Sequence, residues 1–295
     1  MKTGLCYPIS FLTGAIISVM VTFNTSLGEL TTNEVSITIN QITGIIALTI
    51  IMVLLRSNKS VNPERKSAPW YLWGGGLFGL VVITCNYFSV RGAGTTIAMA
   101  AAVFGQCLMG IIYDLTGLMG MEKRKVSGRK ALGTAISFLG ILIMLFFSGT
   151  EIKGLYALIG GFAGVITMIQ MVYNSRFASL KGAFFSARQN VVSGLVGIAL
   201  FSFIVLPEAT IAGWKAVPAV PFHILVGGGI LACFVVVFSN TIIPKIPAAD
   251  SSVLMSSGQV LTAAIIDALV YNSIYPALII GAAVMILGIM LSRHS

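Results

Sequence analysis

Residues 95–117 read TTIAMAAAVFGQCLMGIIYDLTG, with one charge, Asp114, and one central amide, Gln106. About 20 such apolar residues, wound as a helix, cross the hydrocarbon of a bilayer. The stretch returns over 248–270 as AADSSVLMSSGQVLTAAIIDALV. Gly105-Gln106 recurs as Gly258-Gln259, and Asp114 recurs as Asp267, each 153 residues on. One apolar run with polar residues in matching places, found twice, predicts a duplicated membrane fold.

Working outward, the rest of the chain repeats in the same order. Gly74-Gly75-Gly76 returns as Gly227-Gly228-Gly229, again offset by 153. Gly14 and Asn24 match Gly164 and Asn174, while Asn40 and Gly44 match Asn190 and Gly194, all offset by 150. Gly133 and Gly140 match Gly281 and Gly288 at an offset of 148. Small drifts between blocks are what loop insertions produce.

Composition agrees with lipid as the solvent. Hydrophobic residues make up 57% of the 295 residues and charged residues 9%, against roughly 45–50% and 25% in soluble domains. Apolar runs of spanning length occur at about 8–27, 36–55, 70–90, 95–117, 131–148, 154–174, 183–206, 222–242, 248–270 and 275–292. The expectation is an all-α polytopic membrane protein of ten transmembrane helices. The first run follows Lys2 and lacks a small-residue cleavage site, so it reads as a retained helix. All nine prolines fall at the ends of these runs or between them.

Basic residues orient the spans. With the N-terminus on one side, that side collects fifteen of the eighteen Lys and Arg residues, and the other holds Arg91, Lys153 and Lys215. The positive-inside rule then puts both termini in the cytoplasm. Trp70, Tyr71 and Trp73 fit the inner interface, and Trp214, Tyr271 and Tyr275 the outer one. The net charge of +9 is thus a topology signal and not a nucleic-acid surface. Five spans per half is an odd number, so the halves 1–150 and 151–295 enter the membrane from opposite sides. Inverted repeats of this kind are the architecture of secondary transporters, which hold solute between repeats near mid-depth.

Several chemistries are excluded on residue supply. Cys6, Cys85, Cys107 and Cys233 form no C-x-x-C pair. With only His223 and His294, no metal site or catalytic triad is expected, and the chain reads as a non-enzyme without a cofactor. The 32 glycines include no G-K-[ST], which removes an ATP motor. Gly75 to Gly79 and Gly160 to Gly164 instead have the spacing of close helix contacts.

Two motifs carry a resemblance. Trp70 to Gly79 reads W-x-x-x-G-G-G-x-x-G with Asn86 following, and Gly105 to Gly120 reads G-Q-x7-D-x-x-G-L-x-G. With ten short-looped spans in two halves, the chain resembles the drug/metabolite transporter superfamily. More narrowly it is similar to the YdcZ-like family of unknown function, as a fused two-repeat form. The second half departs from the pattern, with Ser239-Asn240 near the place of Asn86 and no G-L-x-G tail. The resemblance implies a multi-pass carrier of the bacterial inner membrane for a small organic solute.

The candidate binding residues are the polar groups inside apolar runs. Gln106 and Gln259 fall at the centres of their spans, where an amide either contacts solute or bonds between helices. Asp114 and Asp267 lie eight residues further along. They read as gates or proton acceptors, or as caps on a neighbouring helix. Asn24 and Asn40 lie towards the outside, and Asn174 and Asn190 towards the cytoplasm. They either line vestibules or satisfy helix ends, and Asn86 joins them with a weaker signal. Arg188 breaks the symmetry, since Thr38 stands at the matching position; it attracts an anion or snorkels to headgroups. The function expected is alternating-access export, with protons as the guessed coupling ion and small solute and lipid as partners. Uptake of an amino acid or polar metabolite is the nearer alternative, and a lipid flippase or scramblase the distant one. One chain holds both repeats, so a monomer suffices, and a dimer is compatible with it.

Overall fold

The computed structural model describes residues 3–55, 67–93, 95–121, 123, 128–147, 154–270 and 276–293. Lys2, Arg56, Lys59, Arg65, Lys66, Arg124, Lys125, Lys153, Tyr271 and Tyr275 lie outside the described residues, as do the side chains of Lys130, Asp267 and Arg293. Among the described residues all regular structure is helical. In order these helices are α1 (Thr3–Leu30), α2 (Asn33–Leu54), α3 (Gly75–Ala93), α4 (Thr95–Thr116), α5 (Gly128–Phe146), α6 (Gly154–Lys181), α7 (Ala183–Val205), α8 (Pro207–Ala216), α9 (Phe222–Ile242), α10 (Ala248–Val270) and α11 (Pro276–Arg293). A 3-10 turn at Trp70–Gly74 leads into α3.

Helices are the outcome lipid requires, because every backbone donor and acceptor must be met within the segment. Among the described residues, seven segments are long and apolar enough to cross a membrane: Gly4–Leu30, Asn33–Leu54, Trp70–Ala93, Ala98–Thr116, Gly154–Lys181, Ala183–Val205 and Phe222–Ile242. Large apolar side chains stand exposed along them, such as Leu54, Leu158 and Ile204 at 73–74%. That surface suits acyl chains and not water.

Local chemistry fixes the breaks between helices. The Leu27 carbonyl near the end of α1 accepts both the Thr31 hydroxyl at 2.6 Å and the Thr31 N–H at 3.0 Å, which closes the last turn. Gly182 alone separates α6 from α7, at φ +92° and ψ 149°, a conformation open essentially to glycine. Gly117 closes α4 at φ +69°, with its N–H on the Tyr113 carbonyl at 2.8 Å.

Two sequence expectations need correction. Pro8 is inside α1, because the helix starts at Thr3, ahead of the apolar run. Its missing N–H leaves the Gly4 carbonyl without its helical partner. The segment after α7 is also more than loop. Pro207 opens α8 at its first turn, Glu208 complements its N-terminal end and Lys215 its C-terminal end. At ten residues, α8 is too short for a spanning run.

The chain forms two compact units, each drawing on both sequence halves. One holds residues 1–18, 88–169 and 245–295; the other holds 19–87 and 170–244. In the first unit α5 lies along α11 and α4 along α10. Gly288 meets the Gly133 backbone so closely that a Cβ there would overlap it. Ala100, Val103 and Cys107 of α4 pack with Val253 and Val260 of α10. In the second unit α2 packs on α7 and α9, around Leu48, Ala187, Val191 and Cys233.

Candidate functional site

In the first unit, α4 and α10 bring the two central glutamines together. Gln106 and Gln259 are both buried, and the Gln259 Nε2 donates to the Gln106 Oε1 at 3.4 Å. Glycines make the approach of neighbouring helices possible. Gly105 meets the Gly161 carbonyl on α6, and Gly258 meets the Phe11 carbonyl on α1. Gly164 of α6 lies on the Ala102 backbone, and Gly14 of α1 lies on that of Met255. A Cβ at any of these four would overlap backbone. Each contact of one half therefore recurs in the other with the halves exchanged.

Asp114 lies at the far end of α4, buried beside the start of α10. Its Oδ1 accepts the Ala248 backbone N–H at 3.0 Å. Ala248 opens α10, and the first N–H groups of a helix have no partner inside it. A carboxylate there also complements the positive end of the helix dipole. Of the readings open for Asp114, the geometry supplies the contact that the helix cap requires. Asp267 lies on α10, but its side chain is outside the described residues.

The first half of α10 holds groups the sequence reading missed. Ser251, Ser252, Ser256 and Ser257 are all buried. Ser251 and Ser257 return their hydroxyls to the Ala248 and Val253 carbonyls at 3.0 and 2.9 Å, and Ser256 lies 3.7 Å from the Cys107 thiol. Paired serines five residues apart in an apolar run were the available signal. Their backbone bonds make Ser251 and Ser257 small, self-satisfied packing residues.

The second unit assembles the asparagines as two matched pairs. Asn40 Nδ2 donates to Asn24 Oδ1 at 2.7 Å, and Asn174 Nδ2 donates to Asn190 Oδ1 at 2.9 Å. The Ser36 hydroxyl meets the Asn24 carbonyl at 2.8 Å, and the Ser186 hydroxyl meets the Asn174 carbonyl at the same distance. Both sets are buried. The triple glycines explain how. A Cβ at Gly228 would overlap the Asn24 side-chain oxygen, and one at Gly75 that of Asn174. The glycines of each half are thus seated on the asparagines of the other. The α2–α7 contact follows the same rule, Gly44 lying on Val191 and Gly194 on Gln41.

The pairs differ in their donor, Asn40 in one and Asn174, the counterpart of Asn24, in the other, and in a bridging glutamine. Gln170 Nε2 bridges Asn190 Oδ1 at 3.0 Å and the Gly75 carbonyl at 3.2 Å. Met20 stands at the equivalent place in the first half and makes no such bridge. Met20 instead lines a partly open cavity with Asn24, Thr25, Asn33, Asn86 and Tyr87. Asn86 and Asn240 therefore belong to the polar interior of this unit, the latter donating to the Ala183 carbonyl at 3.2 Å. Arg188 is exposed on α7, while its neighbour Asn190 is buried.

These sets offer amide and hydroxyl groups for a neutral or weakly charged solute, and in Asp114 one buried acid. No curated protein matches the chain in sequence. A solved structure described only as a crystal structure of a protein matches with a TM-score of 0.67 at 16% identity. It covers 97% of this chain and 96% of its own, and at that identity it speaks for the fold alone. The family model described as "Putative inner membrane exporter, YdcZ" matches residues 5–143 and again 155–291. The chain therefore belongs to the YdcZ family of drug/metabolite-type membrane transporters, in a form carrying the family unit twice.

Proposed function

We propose that the protein is a secondary active transporter that exports a small organic solute by alternating access. In this reading ten helices cross the membrane as two inverted five-helix repeats, 1–150 and 151–295, with both termini in the cytoplasm. Gln106 and Gln259 form the mid-depth contact for solute. Asn24, Asn40, Asn174 and Asn190 line the route with Asn86, and Arg188 stands at its cytoplasmic edge. Protons are the coupling ion, with Asp114 and Asp267 as the groups that exchange them. The carrier needs no cofactor, and one chain suffices.

The observation that carries the reading is the reciprocity of contacts. Gly105 on Gly161 is answered by Gly258 on Phe11, and Gly75 on Asn174 is answered by Gly228 on Asn24. Contacts duplicated with their halves exchanged supply two near-equivalent arrangements, and alternating access needs two states of similar free energy. Glycine at the contact points lets helix backbones slide without side-chain collisions.

The test is flux in proteoliposomes. The carrier gives saturable, gradient-dependent solute movement, and replacing both Gln106 and Gln259 by Ala lowers it by roughly tenfold or more, the loss of one good hydrogen bond at the barrier. Normal transport by that double variant refutes the mid-depth site. Equilibration of labelled lipid without solute or gradient would instead identify a scramblase.

A further inference from the structure

The cavity beside Asn24 has a chemical bias. Its walls come from the second half of α1, the start of α2 and the middle of α3, and its interior measures about 30 Å³. That is room for the tip of a solute or for a water. Five of its nine lining residues are polar or aromatic-polar: Asn24, Thr25, Asn33, Asn86 and Tyr87. None carries a charge.

Most of these groups already have partners. Asn24 Oδ1 takes the Asn40 amide, and the Asn24 carbonyl takes the Ser36 hydroxyl. Asn33 Nδ2 donates to the Thr84 hydroxyl at 3.3 Å. Tyr87 has its ring against Gly28, where a Cβ would stand 2.9 Å from it. Asn86 Oδ1 differs: it is buried and has no hydrogen-bond partner among the described residues. A buried amide oxygen without a donor is costly, and the sites that keep one are those that a ligand or ordered water completes.

We infer that this cavity receives the hydrogen-bond-donating end of a small uncharged solute, with Asn86 Oδ1 as its acceptor. The inference rests on the carrier reading and names its substrate class. An anion would meet the orphan oxygen with no cation to offset it. A cation would have one carbonyl dipole and no carboxylate, too little for a charge removed from water. A neutral amide, amine-free alcohol or urea-like group brings the missing donor at no such penalty. In the second half Asn240 Oδ1 is likewise without a partner among the described residues, but there Gln170 occupies the position of Met20 and bridges Asn190 to Gly75, so that asparagine pair is closed by the protein's own amide.

The experiment measures binding and transport separately on the full-length protein. Melting temperature in detergent is followed with propionamide, propylammonium and propionate, three probes of one size and different charge. Propionamide should stabilise the wild type most. Asn86→Leu should weaken that response by roughly tenfold or more, the loss of one buried hydrogen bond. Asn86→Asp, which keeps the shape, should turn the preference to propylammonium. A purely structural Asn86 would not reverse selectivity. If no probe shifts the wild type, the cavity holds water only and the inference is overturned. It is equally overturned if Asn86→Leu responds as the wild type does, or if Asn86→Asp folds and keeps the amide preference. Flux in proteoliposomes reads the carrier itself: gradient-dependent transport without probe binding sinks the cavity alone, and Asn86-dependent binding without transport sinks the carrier reading alone.

Discussion

Removing the carboxylate of Asp114 separates its structural part from any part in coupling. The Oδ1 accepts the Ala248 N–H at 3.0 Å in a buried setting, at the start of a helix of 23 residues. A buried hydrogen bond to a charged group contributes about 1.5–3 kcal/mol, and the favourable dipole placement adds about 0.3–1 kcal/mol. Asp114→Ala abolishes both and leaves the N–H with no acceptor, a loss of about 2–4 kcal/mol. At about 2–4 °C per kcal/mol for large chains, the melting temperature should fall by about 5–15 °C. Asp114→Asn keeps an amide oxygen in the same place and loses only the charge-dependent share, about 1 kcal/mol or a few degrees. Thermal melts of the purified protein in one detergent decide the matter. A melt of Asp114→Ala equal to wild type refutes the capping argument, as does an Asp114→Asn variant as unstable as the alanine. Because Asp114→Asn preserves the cap, it also isolates the proton role. Folded protein whose transport no longer varies with pH would assign Asp114 to coupling, and an unchanged profile would remove it.

A double-mutant cycle on Gln106 and Gln259, with Leu at each, should give a coupling of about 0.6–2 kcal/mol in the melts, the range of interhelical hydrogen bonds in membranes; additivity would deny that the 3.4 Å contact forms. Gly228→Ala places a methyl group against the Asn24 oxygen. It should cost about 1–3 kcal/mol, measured as the same fall when Gly75→Ala is made against Asn174, and indifference at both sites would contradict the close seating. Gly182→Ala forces a Cβ onto a residue at φ +92°, with an expected loss of about 1–3 kcal/mol and faster proteolysis at the α6–α7 junction; an unaltered digest would count against that strain.

The helices were legible because lipid leaves so few alternatives. Seven of the ten apolar runs fall on helices that, among the described residues, are long and apolar enough to cross a membrane, where a run of about 20 apolar residues can satisfy its backbone in no other way. The ends were less legible. Hydropathy sets where the chain stops being apolar, whereas hydrogen bonds set where the helix stops, and α1 and α6 each run to 28 residues. That difference put Pro8 inside α1. The segment α8 was hidden for the converse reason, since Pro207, Glu208 and Lys215 are loop residues by composition and helix-end residues by position. Among the polar groups, type and offset were readable but partnership was not. Nothing in the spacing of Asn24 and Asn40 says that they bond to each other, because they stand sixteen positions apart on two different helices. The offset of 153 between Gly75 and Gly228 says that they are equivalent, but only the fold shows each against an asparagine of the opposite half.

The most informative departure from that equivalence is one residue. Gln170 and Met20 occupy matching places, 150 residues apart, beside otherwise matched asparagine pairs. The amide of Gln170 has two acceptors within 3.2 Å and fills the polar gap at Asn190. The thioether of Met20 has no donor to offer, so it lines a cavity and leaves the polar surface there to other partners. Duplication alone would produce two sites of equal chemistry, and a carrier with two equal sites would discriminate poorly between the directions of transport. The Gln-to-Met difference leaves the Asn190 pair bonded to the protein's own amide and the Asn24 pair beside a pocket. Met20→Gln should therefore close the pocket with a bond to Asn40 or to the Gly228 carbonyl. The variant should gain stability of about 1 kcal/mol and lose probe binding. Gain without loss would show that the pocket owes nothing to this asymmetry.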